Sequence, residues 1–347
     1  MYKIIIGLCL LLGMGLAQTA SAQDNSPSLR LIADTTGLLY PGGQLRIGIY
    51  HSKANGKVKS TRGYARGKRK WKHYEVSVQG GKYLGEGLIA IDPDPRAHPD
   101  HQISVEVRDA HDPGRSVAAS YQLNYQGNMF ADFSGSPGYK GKDRGPRILP
   151  LRIFGSGFSG KQGGDGGRGG DGEDLDVLVT TFEDTELQQT FLKVEIRSRR
   201  TGRVGRYRIN ADGGRLLIYA NGGMGGPGGD GGPGVDGRDG SLRDKSGGDG
   251  SDGGEGGDGG EGGPGGRIWF TIDPSAEPYA AACLEYENYG GAGGPGGIGG
   301  PGGDGGPAAS GCDPGEGADS GDNGMPGAEG RPGPPPVFTT KPVSLDW

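Results

Sequence analysis

Residues 222–266 read GGMGGPGGDGGPGVDGRDGSLRDKSGGDGSDGGEGGDGGEGGPGG. Shorter stretches echo this run at 163–172 (GGDGGRGGDG) and at 290–306 (GGAGGPGGIGGPGGDGG), the last with a looser continuation to residue 333. Glycine weakens helices and strands because it loses the most backbone freedom on ordering. The run has almost no apolar side chains to bury, and fixing each residue costs roughly 1–2 kcal/mol. Two outcomes are open: a disordered tether, or a dense array of backbone against backbone. In the array, hydrogen bonds worth about 0.5–1.5 kcal/mol each must offset the lost freedom. The period of three sets the geometry of such an array. A polyproline-II-type helix has three residues per turn and no internal hydrogen bonds. At that period every x of GGx falls on one edge, and the two bare edges let neighbouring helices exchange N–H···O=C bonds. The x residues are mostly Asp, Glu, Pro or Arg, which suits a solvated edge. The expected arrangement is a bundle of polyglycine-II helices within one chain.

Collagen needs one glycine in three, abundant imino acids and three chains wound together. Here glycine fills two positions in three, proline is common only at x, and imino-rich triplets appear only near residues 330–334. The register also breaks at 241–246. An intramolecular bundle therefore fits better than a homotrimer. The repeat pattern resembles the glycine-rich bundles of some bacteriophage tail-fibre adhesins, and the collagen-like secreted bacterial proteins. That resemblance rests on repeat composition. It implies contact loops at the arm tips, here 241–246 and 308–313. A signal sequence departs from the tail-fibre pattern, so the resemblance carries architecture further than receptor binding.

The remaining sequence reads as all-β scaffolding. Residues 1–22 form a secretory signal peptide: Lys3, an apolar stretch too short to span a membrane comfortably, and Ala20-Ser21-Ala22 before the cleavage point. The mature chain is expected outside the cytoplasm, with no transmembrane segment. Residues 27–126 show strand alternation at 29–33, 45–49, 74–78, 88–91, 103–107 and 121–125, separated by turns such as Gln79-Gly80-Gly81 and Asp112-Pro113-Gly114. That spacing predicts an immunoglobulin-like β-sandwich. Residues 127–147 read as a connector. Residues 148–347 repeat one plan three times: strand, glycine arm, strand. The strands are 148–154 and 175–182, then 215–220 and 267–272, then 284–289 and 337–347, with a hairpin of 191–198 and 204–210 between the first two units. The repetition suggests one β platform projecting glycine arms, and Trp347 closes it.

The net charge of −5 conceals a split. Residues 163–330 are strongly acidic, while Lys53, Lys57, Lys59, Arg62, Arg66, Lys68, Arg69, Lys70 and Lys72 form a basic run with no acid between His51 and Tyr74. Tyr64, Trp71 and Tyr74 interleave. Clustered cations with aromatics suit polyanions, such as anionic polysaccharide or lipopolysaccharide phosphate. The competing reading is a solvated loop, or a hairpin lying on the chain's own acidic region. No fold signature for nucleic acid is present.

Cys283 and Cys312 flank the third arm and are expected to form a disulfide in an oxidising compartment. His98, His101 and His111 lie among aspartates. A strand over 103–109 would set His98 and His101 apart from His111 by roughly 20–25 Å, so they cannot share a metal. Prefixes of the form GGxGxD occur at 225–230, 231–236 and 247–252, but the apolar residue that fills a calcium β-roll is missing. No phosphate loop, nucleophile elbow, Cys–His pair or zinc-hydrolase motif is found. The expected protein is non-enzymatic and free of cofactors: structural or adhesin-like, with envelope or surface proteins, or an outer-membrane complex, as partners. Anionic-polymer binding through residues 53–72 is the alternative. An enzyme acting on envelope polysaccharide would need a deep cleft with paired carboxylates.

Overall fold

The structure is a computed structural model of the chain. It describes residues 28–146, 158–241 and 246–347. The expected signal peptide and the expected strand at 148–154 lie outside the described residues. Among the described residues strands dominate, and the one α-helix there, α1, spans Glu277–Cys283, so the class is all-β.

The N-terminal unit holds β1 (Leu29–Ala33), β2 (Gln44–Ser52), β3 (Val58–Ser60), β4 (Tyr74–Gln79), β5 (Gly81–Gly85), β6 (Leu88–Ile91), β7 (Gln102–Asp109) and β8 (Asp112–Gln122). One sheet runs β1-β2-β6-β5 with β3 beside β2; the other runs β4-β7-β8. All pairings are antiparallel. Alternation places Leu45, Ile47 and Ile49 of β2 inward, where they share a core with Ile89, Ile103, Val105 and Val107. Asp112-Pro113-Gly114, expected as a turn, instead begins β8. The chain reverses earlier, where the Asp109 carboxylate accepts the N–H of His111 at 3.0 Å.

The platform holds β9 (Asn128–Asp132), β10 (Leu175–Asp184), β11 (Gln189–Ser198), β12 (Val204–Asn210), β13 (Arg215–Tyr219), β14 (Ile268–Ile272), β15 (Leu284–Glu287) and β16 (Val337–Thr340). Its sheets run β15-β13-β9 and β12-β11-β10-β14-β16. The β9, β13 and β15 strands are mutually parallel, as are β10, β14 and β16. Each excursion leaves from the three-stranded sheet and returns in the five-stranded one. The hairpin β11–β12 forms as expected, and Gly202 turns it at φ 71°. The expected connector at 127–147 is structured as far as residue 146, where it supplies β9 and the first glycine-rich segment. Leu216, Ile218, Val177, Val179 and Phe270 fill the space between the sheets.

Six extended segments, here called threads, project from this platform: 133–146, 158–172, 221–240, 246–266, 288–307 and 314–333. Threads 1, 3 and 5 lead outward; threads 2, 4 and 6 return. Bonds recur at every third residue. Gly225, Gly228 and Gly231 of thread 3 donate to Ala292, Pro295 and Ile298 of thread 5, all within 2.8–2.9 Å. Gly257, Gly260 and Gly263 of thread 4 donate to Gly229, Gly226 and Gly223 of thread 3. The outward threads form one row and the returning threads a second. Threads 3 and 4 each bond to four neighbours, threads 2 and 5 to three, and threads 1 and 6 to two.

Glycine content follows that coordination. Threads 2 to 5 carry mostly two glycines per triplet, because a Cβ on their bonded edges would enter a neighbouring backbone. Threads 1 and 6 keep about one per triplet, since one edge faces solvent. The departures from glycine are matched. Val235 and Ser251 sit opposite each other, and the Ser251 hydroxyl accepts the N–H of Val235 at 2.8 Å.

The identity of x is equally constrained. An x residue gives its C=O to the adjacent row member, and its N–H then needs a partner. Asp230 Oδ1 accepts the N–H of Ile298 at 2.9 Å, Asp236 that of Asp304 at 3.0 Å, and Asp258 that of Met325 at 2.8 Å. Asp143, Asp165 and Asp249 do the same for Asp230, Asp258 and Glu316. Pro295 and Pro301 remove the problem, having no N–H.

Candidate functional site

The basic run is folded by β3 and two short 3-10 turns, Gly63–Ala65 and Trp71–His73. Arg66 takes a left-handed φ of 53° and donates its N–H to Gly63 O, so the chain doubles back on itself. This brings Lys59, Lys68, Arg69, Lys70, Lys72 and His73 around one open groove of about 740 Å³. Lys59, Lys68, Lys70 and Lys72 are exposed, and no carboxylate pairs with them among the described residues. Arg69 is held from below by Asp109 at 3.6 Å and lies over the Tyr74 ring. The same buried carboxylate lies 3.5 Å from His51. Burial lowers the His51 pKa, helped by Arg69 and opposed by Asp109.

Three residues of the expected set lie elsewhere. Arg62 and Lys57 are exposed outside the groove, and Arg66 lines a second hollow with Arg46, Tyr64 and Glu86. Trp71 is not a surface aromatic at all: it is 4% exposed, packs edge-on to Tyr74, and donates Nε1–H to Arg62 O at 3.1 Å. A Trp amid lysines looks like a stacking platform in sequence; here it anchors the basic loop to the core. Among the described residues no ion pair joins the loop to the acidic threads, and the chain's own Asp109 pairs with Arg69 while leaving the four groove lysines without a carboxylate.

The expected Cys283–Cys312 disulfide is absent, and both thiols are free. Cys283 is buried at the end of α1, beneath Asn210 and Ala211, whereas Cys312 lies at the turn beyond thread 5. Residues 288–307 separate them by roughly 60 Å at about 3.1 Å per residue. Flanking an arm in sequence places two residues at its opposite ends.

The histidines serve different ends. His98 is buried between Asp92 O and Gln102 O. His101, buried at a left-handed φ of 54°, joins the N-terminal unit to the platform. Its Nε2 donates to Asp184 at 2.9 Å, while Nδ1 faces Arg208 at 3.0 Å and the Tyr125 hydroxyl at 3.1 Å. Those partners fix the neutral Nε2–H tautomer. Burial lowers the His101 pKa, and Arg208 lowers it further. Burial pushes the Tyr125 phenol up to about 12. The aspartates of the GGxGxD prefixes at Asp230 and Asp236 are occupied as N–H acceptors, as above, and no group of three metal-ligating side chains occurs among the described residues.

Compared with known proteins, the chain matches no protein family, no curated protein and no solved structure. Among the described residues, no helix is long and apolar enough to cross a membrane.

Proposed function

We propose that this chain is an extracytoplasmic structural and interaction protein without catalysis, whose threads are polyglycine-II helices and whose N-terminal unit is an immunoglobulin-like sandwich. The observation that carries this reading is the three-residue recurrence of inter-thread bonds across all six threads. It gives rigidity without an apolar core, because each triplet is held by at least two neighbouring threads. Two antiparallel sheets sharing one core support the sandwich. The leader-like residues 1–22 support the location. The role is to hold a binding surface away from its anchor, for envelope or surface proteins.

Amide exchange tests it. Residues 222–240 and 246–266 should exchange orders of magnitude more slowly than the same sequence as a free peptide. Free-peptide rates there would overturn the reading.

A second reading is favoured by the unneutralised groove: retention of an anionic polymer, polysaccharide or lipopolysaccharide phosphate, by Lys59, Lys68, Lys70 and Lys72. Binding should weaken steeply with salt. Heparin retention that survives neutralising Lys68 and Lys70 would end it.

A further inference from the structure

A hollow of about 390 Å³ opens on the platform where the β10–β11 turn, the end of β12 and α1 meet. Gln126, Gln188, Gln189, Asn210, Asp212 and Tyr279 line it. That volume falls within the range of small-molecule sites, about 300–1,000 Å³.

The floor of the hollow is fixed by the chain itself. Asn210 is 4% exposed, donates Nδ2–H to Gln189 Oε1 at 2.8 Å, and accepts the N–H of Asp212 on Oδ1 at 2.7 Å. This holds the Gln189 amide in one orientation and leaves its own NH₂ group to donate. The β10–β11 turn is set by the Asp184 carboxylate, which accepts the N–H groups of Glu186 and Leu187, both at 3.1 Å. Gln188 follows at a left-handed φ of 53°, a conformation uncommon outside glycine. Around this floor the remaining groups are unspent. Among the described residues the side chains of Gln126, Gln188, Asp212 and Tyr279 have no hydrogen-bond partner within the chain.

The chemistry of the lining selects its occupant. Each glutamine amide offers a donor and an acceptor in one plane, the Asp212 carboxylate accepts only, and the Tyr279 phenol does both. A sugar hydroxyl likewise donates and accepts at once, and two vicinal hydroxyls span a planar amide or carboxylate. The half-buried Tyr279 adds an apolar ring with a polar tip. No lysine, arginine or histidine lines the hollow, so an anion finds no counter-charge. Ala211 is its only aliphatic side chain, so a lipid finds no wall. The backbone nearby is already paired: Ala211 N–H to Thr190 O at 3.0 Å, Asn210 N–H to Tyr125 O and Gly214 N–H to Asn210 O, both at 3.1 Å. An extended peptide therefore finds no ladder to join. We propose that this hollow binds a short neutral saccharide, its hydroxyls held by Gln126, Gln188, Gln189 and Asp212 and one ring face against Tyr279. The site involves neither the threads nor the basic groove, so it rests on neither reading given above.

Saturation-transfer difference NMR on the full chain reads binding directly, with cellobiose, maltose and N,N′-diacetylchitobiose as probes. At least one of the three should receive saturation. Its signal should persist at salt concentrations that empty the basic groove, since a neutral ligand is not screened. Asp212→Ala and Gln188→Ala change exposed side chains, and alanine bears the left-handed position no worse than glutamine, so thermal melts should not move. Each should weaken binding, Asp212→Ala by about tenfold or more because it removes a charged acceptor. Tyr279→Phe should weaken it less than Tyr279→Ala. Lys68→Gln combined with Lys70→Gln should leave it unchanged. No transfer to any of the three sugars, or wild-type affinity in both Asp212→Ala and Gln188→Ala, would overturn the proposal. So would loss of binding in the lysine double variant, which would place the sugar in the basic groove. Full competition by a neutral glycine–serine hexapeptide would also overturn it, by assigning the hollow to a polypeptide.

Discussion

Substituting Gly260 by alanine is the most direct challenge to the thread lattice. Gly260 lies mid-thread in the returning row. A Cβ there would stand 2.5 Å from the carbonyl carbon of Gly167 and 2.8 Å from Gly166 O. Ordinary contact needs about 3.5–4.0 Å, so the threads must part by roughly 1 Å. Two bonds tie threads 2 and 4 at that level, Gly166 to Asp258 and Gly169 to Glu261, both at 2.8 Å. Stretching each by that much takes it beyond hydrogen-bond range. At about 0.5–1.5 kcal/mol per bond the loss is about 1–3 kcal/mol. Gly317 provides the contrast, since its nearest neighbour would be 3.8 Å from the new methyl. Gly317→Ala should be neutral or stabilising by up to about 1 kcal/mol, through the unfolded chain. Chemical denaturation with exchange of residues 222–266 reads both. A Gly260→Ala protein as stable and as protected as Gly317→Ala would refute the lattice as the source of order.

Further expectations follow from the same structure. Asp230→Ala should expose the N–H of Ile298 to faster exchange, while Asp230→Asn, which keeps an acceptor oxygen, should not. Trp71→Ala should cost about 3–5 kcal/mol of stability by opening a core cavity, an effect that unfolding measurements separate from any loss of binding. The His101 pKa is lowered on folding, so the unfolded chain binds more protons just below the ordinary value of 6.5. Stability should be complete above about pH 6.5 and decline as pH falls from there towards the folded value. His51, also lowered, adds to the slope. His101→Gln should flatten the decline in a series of melts between pH 7.5 and 5.5, and an unchanged slope would exclude the junction as its origin. In native protein Cys312 should react with a maleimide at once and Cys283 only on unfolding, since burial both shields the latter and raises its thiol pKa.

The strands with clean alternation were legible from sequence: β1, β6 and the hairpin of β11 and β12 lie where alternation and turn residues place them. The short strands β3 and β5 were not, because Val58-Lys59-Ser60 is too brief to show alternation and glycines bound β5 at both ends, so each acquires strand geometry by pairing with β2 and β6. Thread 1 was the larger omission. Its triplets carry one glycine, and Ser136, Tyr139 and Lys142 hide the period. That thinning is itself information, since an edge thread has fewer bare faces to supply. The basic run was visible as composition, but only the fold separates Lys59, Lys68, Lys70 and Lys72, which share a groove, from Arg62 and Arg66, which do not. Trp71 was misplaced because adjacency to charge says nothing about which way a ring turns.

The three-residue recurrence of the thread bonds makes length an adjustable quantity. Inserting one triplet at the same level of all six threads leaves every pairing intact and moves the tips outward by about 9 Å. A single inserted residue would instead shift one thread out of phase with all its neighbours. Selection can therefore tune the reach of this molecule in equal steps, like notches on a ruler, while the platform that anchors it stays the same.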